Sequence, residues 1–331
     1  MRTTPLFSTA VSLLIGLACQ LASGPLLARD TGYLFVSSEK DNVVAVLNGE
    51  NLDKVAAIPT AERPRGLKFS PDHSLLYVAC GDGDAIDVID IAKLEVVGQL
   101  DVGDDPERFD LSPDGRYLYA SNEDQGLLTI FDLQQKQIVG EIEVGEEPEG
   151  VLASPDGHTV YVTSEVANMV HVVDVETRSL KANVLVGNRP RRFALTPDGK
   201  ELWVSNELSG SVSIIATQDN RVIDEIRFAP KGFRPEDVTP VGLAMTRDGG
   251  TAYITLGGAN HVAVVEVPSR KVKDYVLVGQ RPWGLTLSRD EKTLYVTNGK
   301  SDDLSVIDTV SRKVRRSVPV GRVPYTVRVD D

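Results

Sequence analysis

One phrase recurs along the chain, and its spacing restricts the fold more than any other feature. Residues 144–165 read VGEEPEGVLASPDGHTVYVTSE, and related copies follow one another almost to the last residue. Aligned on the proline, the copies are 42, 42, 42, 50, 42 and 42 residues apart. The seven prolines are Pro64, Pro106, Pro148, Pro190, Pro240, Pro282 and Pro324. A constant period of this length is typical of repeat architectures, in which each repeat forms one structural unit beside its neighbours.

Each repeat contains four short runs of strand-forming residues. In the third repeat these runs are 108–111, 117–120, 128–131 and 138–144. They are rich in β-branched and aromatic residues and are separated by turn residues such as SPDG at 112–115. Four antiparallel strands in about 42 residues are typical of one propeller blade. The sequence therefore predicts an all-β fold, a seven-bladed β-propeller of four-stranded antiparallel blades.

The ends of the repeat array predict how the ring closes. We name the four strands of a blade a, b, c and d from the axis outward. The first repeat begins with a b strand at Phe35, and the last repeat ends with an a strand at 325–329. We therefore expect the C-terminal strand to pair with the N-terminal blade, a 3+1 closure that leaves no free sheet edge. One propeller domain is predicted over 29–331.

The first 28 residues differ from the repeats. Arg2 is their only charge, and 11–21 form an apolar stretch, so we expect a signal peptide cleaved after Ala28 rather than a membrane span. Lipoprotein processing at Cys19 is a less favoured alternative, because Gly16 stands where such motifs carry an aliphatic residue. Without this leader Cys80 is the only cysteine, and no intrachain disulfide can form.

Charge and motifs exclude several functions. The formal net charge of −13 disfavours binding to nucleic acid or to anionic membranes. The sequence contains no CxxCH, GxSxG, P-loop or dinucleotide-binding motif. The four histidines show no metal-ligand spacing. We therefore assign no metal ligands and no catalytic residues, and we expect a monomer without a transmembrane span.

Three strand motifs place the chain near a known family. YVTS at 161–164, WVSN at 203–206 and YVTN at 295–298 resemble the YVTN-repeat β-propellers, and the resemblance extends over 32–329. With the leader and the single longer repeat, the chain is most similar to the propeller proteins associated with catabolism that depends on pyrroloquinoline quinone (PQQ). The resemblance implies a periplasmic accessory protein. It names PQQ as the one cofactor to consider, and a quinoprotein dehydrogenase or another periplasmic protein as partner.

The d–a and b–c loops lie on one face of the predicted propeller, and there the repeats differ most. Loops that the scaffold does not dictate are where function concentrates. The candidate ligand-binding residues of the d–a loops are Arg63, Arg65, Glu107, Glu149, Arg189, Arg191, Arg192, Arg281, Trp283, Arg322 and Tyr325. Those of the b–c loops are Glu123, Glu165 and Glu207.

These residues allow more than one function. The simplest interpretation is a solvated network of ion pairs. The sharper one is an accessory or binding protein whose arginine forks hold a small organic anion, with Trp283 and Tyr325 as flat surfaces. An enzyme of the lactonase or oxidoreductase type, using carboxylates such as Glu123, Glu149 and Glu165, is an alternative. A cell-surface propeller that binds other proteins is another.

The one longer repeat owes its extra residues to an insertion at 228–239, with the sequence FAPKGFRPEDVT. It lies on the same face as the candidate site. Its prolines and aromatic residues indicate a stiff segment, either a lengthened loop or a lid or docking element.

Overall fold

The computed structural model describes Met1 and residues 30–331, and within them 28 strands form seven antiparallel sheets of four strands each. The predicted seven-bladed propeller is confirmed. Apart from Met1, the predicted signal peptide lies outside the described residues, as does Cys19. Among the described residues, no helix has the length and apolar character needed to cross a membrane.

The strands follow the predicted blade order. Blade 1 combines the last strand with the first three, namely β28 (Pro324–Asp330), β1 (Tyr33–Ser38), β2 (Val43–Asn48) and β3 (Lys54–Pro59). Blades 2 and 3 consist of β4 (Pro64–Phe69), β5 (Leu75–Cys80), β6 (Ala85–Asp90), β7 (Glu95–Leu100), β8 (Pro106–Leu111), β9 (Tyr117–Asn122), β10 (Leu127–Asp132) and β11 (Gln137–Glu143).

The remaining blades repeat the pattern. Blades 4 and 5 consist of β12 (Pro148–Ala153), β13 (Thr159–Ser164), β14 (Met169–Asp174), β15 (Ser179–Leu185), β16 (Pro190–Leu195), β17 (Glu201–Asn206), β18 (Ser211–Ala216) and β19 (Arg221–Arg227). Blades 6 and 7 consist of β20 (Pro240–Met245), β21 (Thr251–Leu256), β22 (His261–Glu266), β23 (Lys271–Leu277), β24 (Pro282–Leu287), β25 (Thr293–Asn298), β26 (Asp303–Asp308) and β27 (Lys313–Pro319).

The core lies between the blades. The b strands are buried along almost their whole length, because each is covered on both faces by neighbouring blades, whereas d strands such as β19 are mostly exposed. Seven apolar clusters each join two adjacent blades. In one of them the fully buried Trp203 of blade 5 shares a cluster with Ile254 and Ala263 of blade 6.

The ring closes as the sequence predicts. β28 pairs antiparallel with β1, with Val36 opposite Val327. Leu34 of β1 and Val327 of β28 share an apolar cluster with Leu304 of blade 7, so both termini are held in one interface. No strand of the ring is left with an unpaired inner edge at this junction, which is the purpose of a 3+1 closure.

A hydroxyl near the end of the b strand connects six of the seven blades to the next. Thr163 accepts a hydrogen bond from the Gly150 amide at 2.7 Å and donates to the carbonyl of Arg191 in blade 5 at 3.4 Å. A bulge in the a–b pairing makes room for this contact. The equivalent donors are Ser37, Ser121, Ser205, Thr255 and Thr297. In blade 2 the position is Ala79, so six of the seven interfaces carry the link.

The insertion at 228–239 packs into the propeller wall at both of its ends. Phe228 and Val238 are buried in the cluster shared by blades 5 and 6, and the Ala229 amide donates to the Tyr275 hydroxyl at 2.8 Å. A short 3₁₀ turn, Pro235–Asp237, lies between these anchors. The insertion thus extends the wall between two blades, and a role as lid stays a prediction.

Replacing Thr163 by Val is expected to lower the free energy of unfolding by about 1–3 kcal/mol, because it leaves the Gly150 amide and the Arg191 carbonyl without their hydroxyl partner. Thr129→Val is the matched control, since the Thr129 hydroxyl is buried and has no hydrogen-bond partner among the described residues. It should leave stability unchanged or raise it. Urea denaturation of both variants decides the point, and equal losses would contradict the role of the link.

Candidate functional site

The d–a and b–c loops surround one end of the central channel, and we call the charged and aromatic residues there the axial mouth. It consists of Glu39, Arg63, Arg65, Asp105, Glu107, Glu123, Glu149, Glu165, Arg189, Arg191, Arg192, Glu207, Arg281, Trp283 and Tyr325.

The two loop sets are tied together by an unusual backbone geometry. The residue before each of the seven prolines has a positive φ, for example 59° at Arg63 and 55° at Arg189. This conformation is uncommon outside glycine, and a residue before proline ordinarily prefers extended backbone. In every blade its carbonyl accepts a hydrogen bond from the first amide after a b strand, as Arg189 does from Glu207 at 2.9 Å. The Cα atoms that carry the side chains of both loops therefore lie at a similar position along the channel axis.

Tyr325 lies at the centre of the mouth and bridges opposite blades. Its hydroxyl donates to Glu149 of blade 4 at 3.1 Å and accepts from Arg192 and Arg191 of blade 5 at 2.6 and 3.3 Å. The guanidinium of Arg65 lies 4.4 Å from the centroid of the Tyr325 ring. Since Tyr325 belongs to blade 1, these contacts cross the channel.

One side of the mouth is organised by Arg63. Its guanidinium contacts Asp105 at 3.1 Å and Glu107 at 2.5 Å, and it lies 3.9 Å from Glu123. Arg65 forms a second ion pair with Glu107, which is fully buried. The two arginines thus surround one carboxylate that has no contact with solvent.

The other side combines four arginines with three glutamates. Arg191 and Arg192 both contact Glu149, and Arg191 also pairs with Glu165. Above them Arg189 lies 2.5 Å from Glu165 and 3.4 Å from Glu207. Glu207 completes the group through Arg281, at 2.5 Å.

Trp283 provides the flat surface of the mouth. The guanidinium of Arg281 lies 4.4 Å from a ring centroid of Trp283, and the Tyr325 ring is 5.4 Å away. The indole Nε1 would be 2.4 Å from a Cβ added at Gly299, so only glycine at that position allows the ring to lie there. Cation–π contacts of this kind stabilise a desolvated guanidinium beside an aromatic face.

The glutamates titrate differently because their surroundings differ. Burial alone would raise the pKa of Glu149, but the surrounding guanidiniums outweigh it and hold this pKa well below its ordinary value. For Glu165 burial dominates over Arg191, and the nearby charge of Glu149 adds to it, raising the pKa of Glu165 to about 7. Burial and Glu149 likewise raise the pKa of Glu123.

The structure brings thirteen of the fourteen sequence-predicted residues into the mouth. Arg322 is the exception: its side chain is 67% exposed and pairs with Asp41 on the outer rim. The geometry supports the interpretation as an ion-pair network, although most of the network is buried rather than solvated.

Sequence reasoning missed Glu39 and Asp105. Glu39 lies 3.8 Å from Arg63 and 3.7 Å from Arg65. It is the first residue after its b strand, as Glu123 is, so the repeat register alone would have found it. Asp105 immediately precedes Pro106, and the same register marks it.

The residues of the mouth can be compared with those that hold a metal ion or a haem. The carboxylates of Asp105, Glu107 and Glu123 lie within 4.8 Å of one another, but the Arg63 guanidinium already contacts this group and supplies the compensating charge. Haem iron is usually held by histidine, cysteine or methionine, and the mouth residues include none of these. Its one tyrosine hydroxyl is engaged by Glu149 and two arginines. The mouth therefore does not fit a haem.

Comparison with known families places the chain among the propellers. The model of the seven-bladed β-propeller lactonases matches residues 143–222 and 181–329, which together cover more than half of the chain. The chain belongs to the seven-bladed β-propeller lactonase family. The model of the cytochrome D1 heme domain matches residues 29–147. The comparison with curated proteins gives no match.

Solved structures agree with the fold. The hydrazine synthase of Kuenenia stuttgartiensis has 22% identity and a TM-score of 0.77, over 85% of this chain and 93% of its own. The periplasmic gluconolactonase of Pseudomonas aeruginosa has 22% identity and a TM-score of 0.76, over 89% and 98%. The dihydro-heme d1 dehydrogenase NirN has 18% identity and a TM-score of 0.70, over 94% and 78%. These identities show the shared fold alone.

The raised pKa of Glu165 predicts how stability depends on pH. The folded protein holds this proton more tightly than the unfolded chain, so the contribution of Glu165 is complete below about pH 4.5 and is lost as the pH rises through about 7. Glu165→Gln should flatten the stability profile in this window by on the order of 1–3 kcal/mol. Urea unfolding at pH 5, 6, 7 and 8 measures it, with the exposed Glu176→Gln as control. An unchanged slope in Glu165→Gln would refute the assignment.

Proposed function

We propose that the axial mouth hydrolyses the lactone of a small organic acid, with Glu165 as general base. The observation that carries this proposal is Glu165 itself, a buried carboxyl with a pKa of about 7 that lies among guanidiniums in the mouth. A general base works best when its pKa is near the operating pH. Membership of the lactonase family and the fold shared with a gluconolactonase support the same reaction class.

In this proposal Glu165 transfers the proton and Arg189 stabilises the negative charge that develops on the substrate. In the proposed reaction the Glu165 carboxylate takes a proton from water as the water oxygen bonds to the lactone carbonyl carbon. The carbonyl oxygen becomes an oxyanion beside Arg189, whose side chain is 42% exposed and so can reach a ligand. Glu165 then returns the proton to the ring oxygen as the C–O bond breaks, which releases the hydroxy acid.

Glu149 and Glu165 have different surroundings, which shift their pKa values in opposite directions. This difference supports distinct roles for the two carboxyl groups. Glu149 remains ionised and holds Arg191 and Arg192 in place. Glu165 exchanges its proton near neutral pH. Pairs of carboxyls whose surroundings push their pKa values apart are typical of acid–base active sites. Trp283 would support the ring of the substrate by stacking.

A non-catalytic binding protein is the second candidate. It is supported by the partly exposed Arg189 and by Arg281 beside the plane of Trp283, an arrangement suited to a planar carboxylate. PQQ as that ligand, a quinoprotein dehydrogenase as partner and a periplasmic location stay predictions from the sequence motifs. The matches to lactonases and to the D1 heme domain do not address PQQ.

Turnover separates the two candidates. With glucono-1,5-lactone as the first probe and spontaneous hydrolysis subtracted, kcat/KM should rise with pH through an apparent pKa near 7. Glu165→Gln should reduce kcat by about 10²–10⁴-fold, and Arg189→Gln should lower kcat/KM. The exposed Glu176→Gln should behave as wild type.

The failure of this experiment is informative. If no lactone in a panel of five- and six-membered rings is hydrolysed above background, the catalytic proposal is wrong. Saturable binding of PQQ or of a hydroxy acid that Arg189→Gln abolishes would then establish the binding protein instead.

A further inference from the structure

A chamber lies on the axis deeper than Tyr325, toward the face that carries the a–b turns. It is a cavity of about 140 Å³, lined by the inner parts of the a strands. Its charged or polar lining residues are Lys68, Arg108, Asp110, Arg192, Thr326 and Arg328. Neither proposed function of the mouth uses this chamber.

Two of its cationic groups are already neutralised. Lys68 lies 2.5 Å from Asp110, whose carboxylate also accepts the amides of Leu111 and Ala153 at 2.8 and 3.0 Å. Arg192 pairs with Glu149 at the boundary with the mouth.

Arg108 and Arg328 have only neutral partners. Arg108 donates to the Thr326 hydroxyl at 2.9 Å, and Arg328 donates to the carbonyl oxygens of Leu67 and Val327 at 3.0 and 3.3 Å. Within residues 30–331 neither guanidinium forms an ion pair. The Nε of Arg108 is buried and has no hydrogen-bond partner among these residues.

The nearby carboxylates of Asp110 and Glu149 offset only part of this positive charge. Both arginines are partly buried, and a desolvated charge is costly unless it is paired, since arginine cannot escape by losing its proton. Desolvation lowers the pKa of Arg328, against the opposing charge of Asp110. Desolvation and the neighbouring charge of Arg192 lower the pKa of Arg108, against the opposing effect of Glu149. An anion in the chamber would relieve both side chains at once.

We propose that this chamber binds a small tetrahedral oxyanion of the phosphate or sulfate class, held between Arg108 and Arg328. Guanidinium groups present two parallel donors that match the oxygens of such an anion. A water molecule occupies about 30 Å³ of the liquid, so the chamber has room for an ion of this size. The residues that line the chamber include neither Glu165 nor Arg189, so the proposal does not depend on lactone hydrolysis.

Inorganic phosphate is the probe that tests the site. Wild-type protein, exchanged into chloride buffer, is titrated with phosphate at constant ionic strength, by calorimetry and by thermal unfolding. We expect saturable binding, and a Tm increase of roughly 5 °C when phosphate exceeds Kd a hundredfold. Arg108→Gln and Arg328→Gln should each weaken binding at least tenfold.

Controls distinguish this site from other arginines and from the mouth. Arg116→Gln alters a partly exposed arginine of an a–b turn that pairs with Asp132, and it should keep wild-type phosphate affinity. Arg189→Gln and Glu165→Gln, both in the mouth, should also keep it, so failure of the lactonase proposal would not affect the result. Arg108→Lys should bind with intermediate affinity, since it keeps the charge but loses the fork.

Two results would overturn the proposal. One is the absence of saturable phosphate and sulfate binding to the wild-type protein at constant ionic strength. The other is wild-type affinity in both Arg108→Gln and Arg328→Gln. If one of these variants does not fold, the other and Arg108→Lys still decide the question.

Discussion

In six of the seven blades a hydroxyl near the end of the second strand fixes the start of the next blade, from which mouth residues project. This hydroxyl bonds the backbone of its own blade and also the carbonyl of the residue after the proline in the next blade. The side chains of Arg191, Trp283 and Tyr325 start from residues whose carbonyls are held in this way. The hydrogen bond that joins two neighbouring blades therefore also fixes the position of these side chains along the channel axis.

The balance of positive and negative charge changes along the channel axis. In the mouth, carboxylates and guanidiniums are matched and mostly buried, so each keeps its partner and the network holds one arrangement. Buried ion pairs add little net stability, because desolvation offsets their attraction, but removing one member leaves a costly charge. Glu165 departs from this balance, since burial outweighs its arginines. Beyond Tyr325 the balance shifts to positive charge at Arg108 and Arg328.

Much of the site could be predicted because the repeat assigns every residue a place around the ring. Thirteen of the residues that the register selects lie together at the mouth, and applied without exception the register would have added Glu39 and Asp105. Arg322 lies in the predicted loop set, but its exposed side chain, two residues before the proline, pairs with Asp41 instead of joining the mouth. Arg108 shares its register with Arg192, yet nothing in the sequence distinguishes the arginine that has a glutamate partner from the one that does not.

The amino-acid sequence alone determined the number of blades, their four strands, the closure and the face on which the loops vary. Those properties follow from local strand and turn preferences repeated at a constant period. The tertiary structure decided which arginine meets which glutamate, how deeply each lies, and which side chains meet across the channel. Tyr325 and Glu149 are 176 residues apart and belong to opposite blades, so their contact depends on the diameter of the closed ring and on side-chain packing across it. Burial raises the pKa of Glu165 and desolvates Arg108, and burial exists only once the ring has closed.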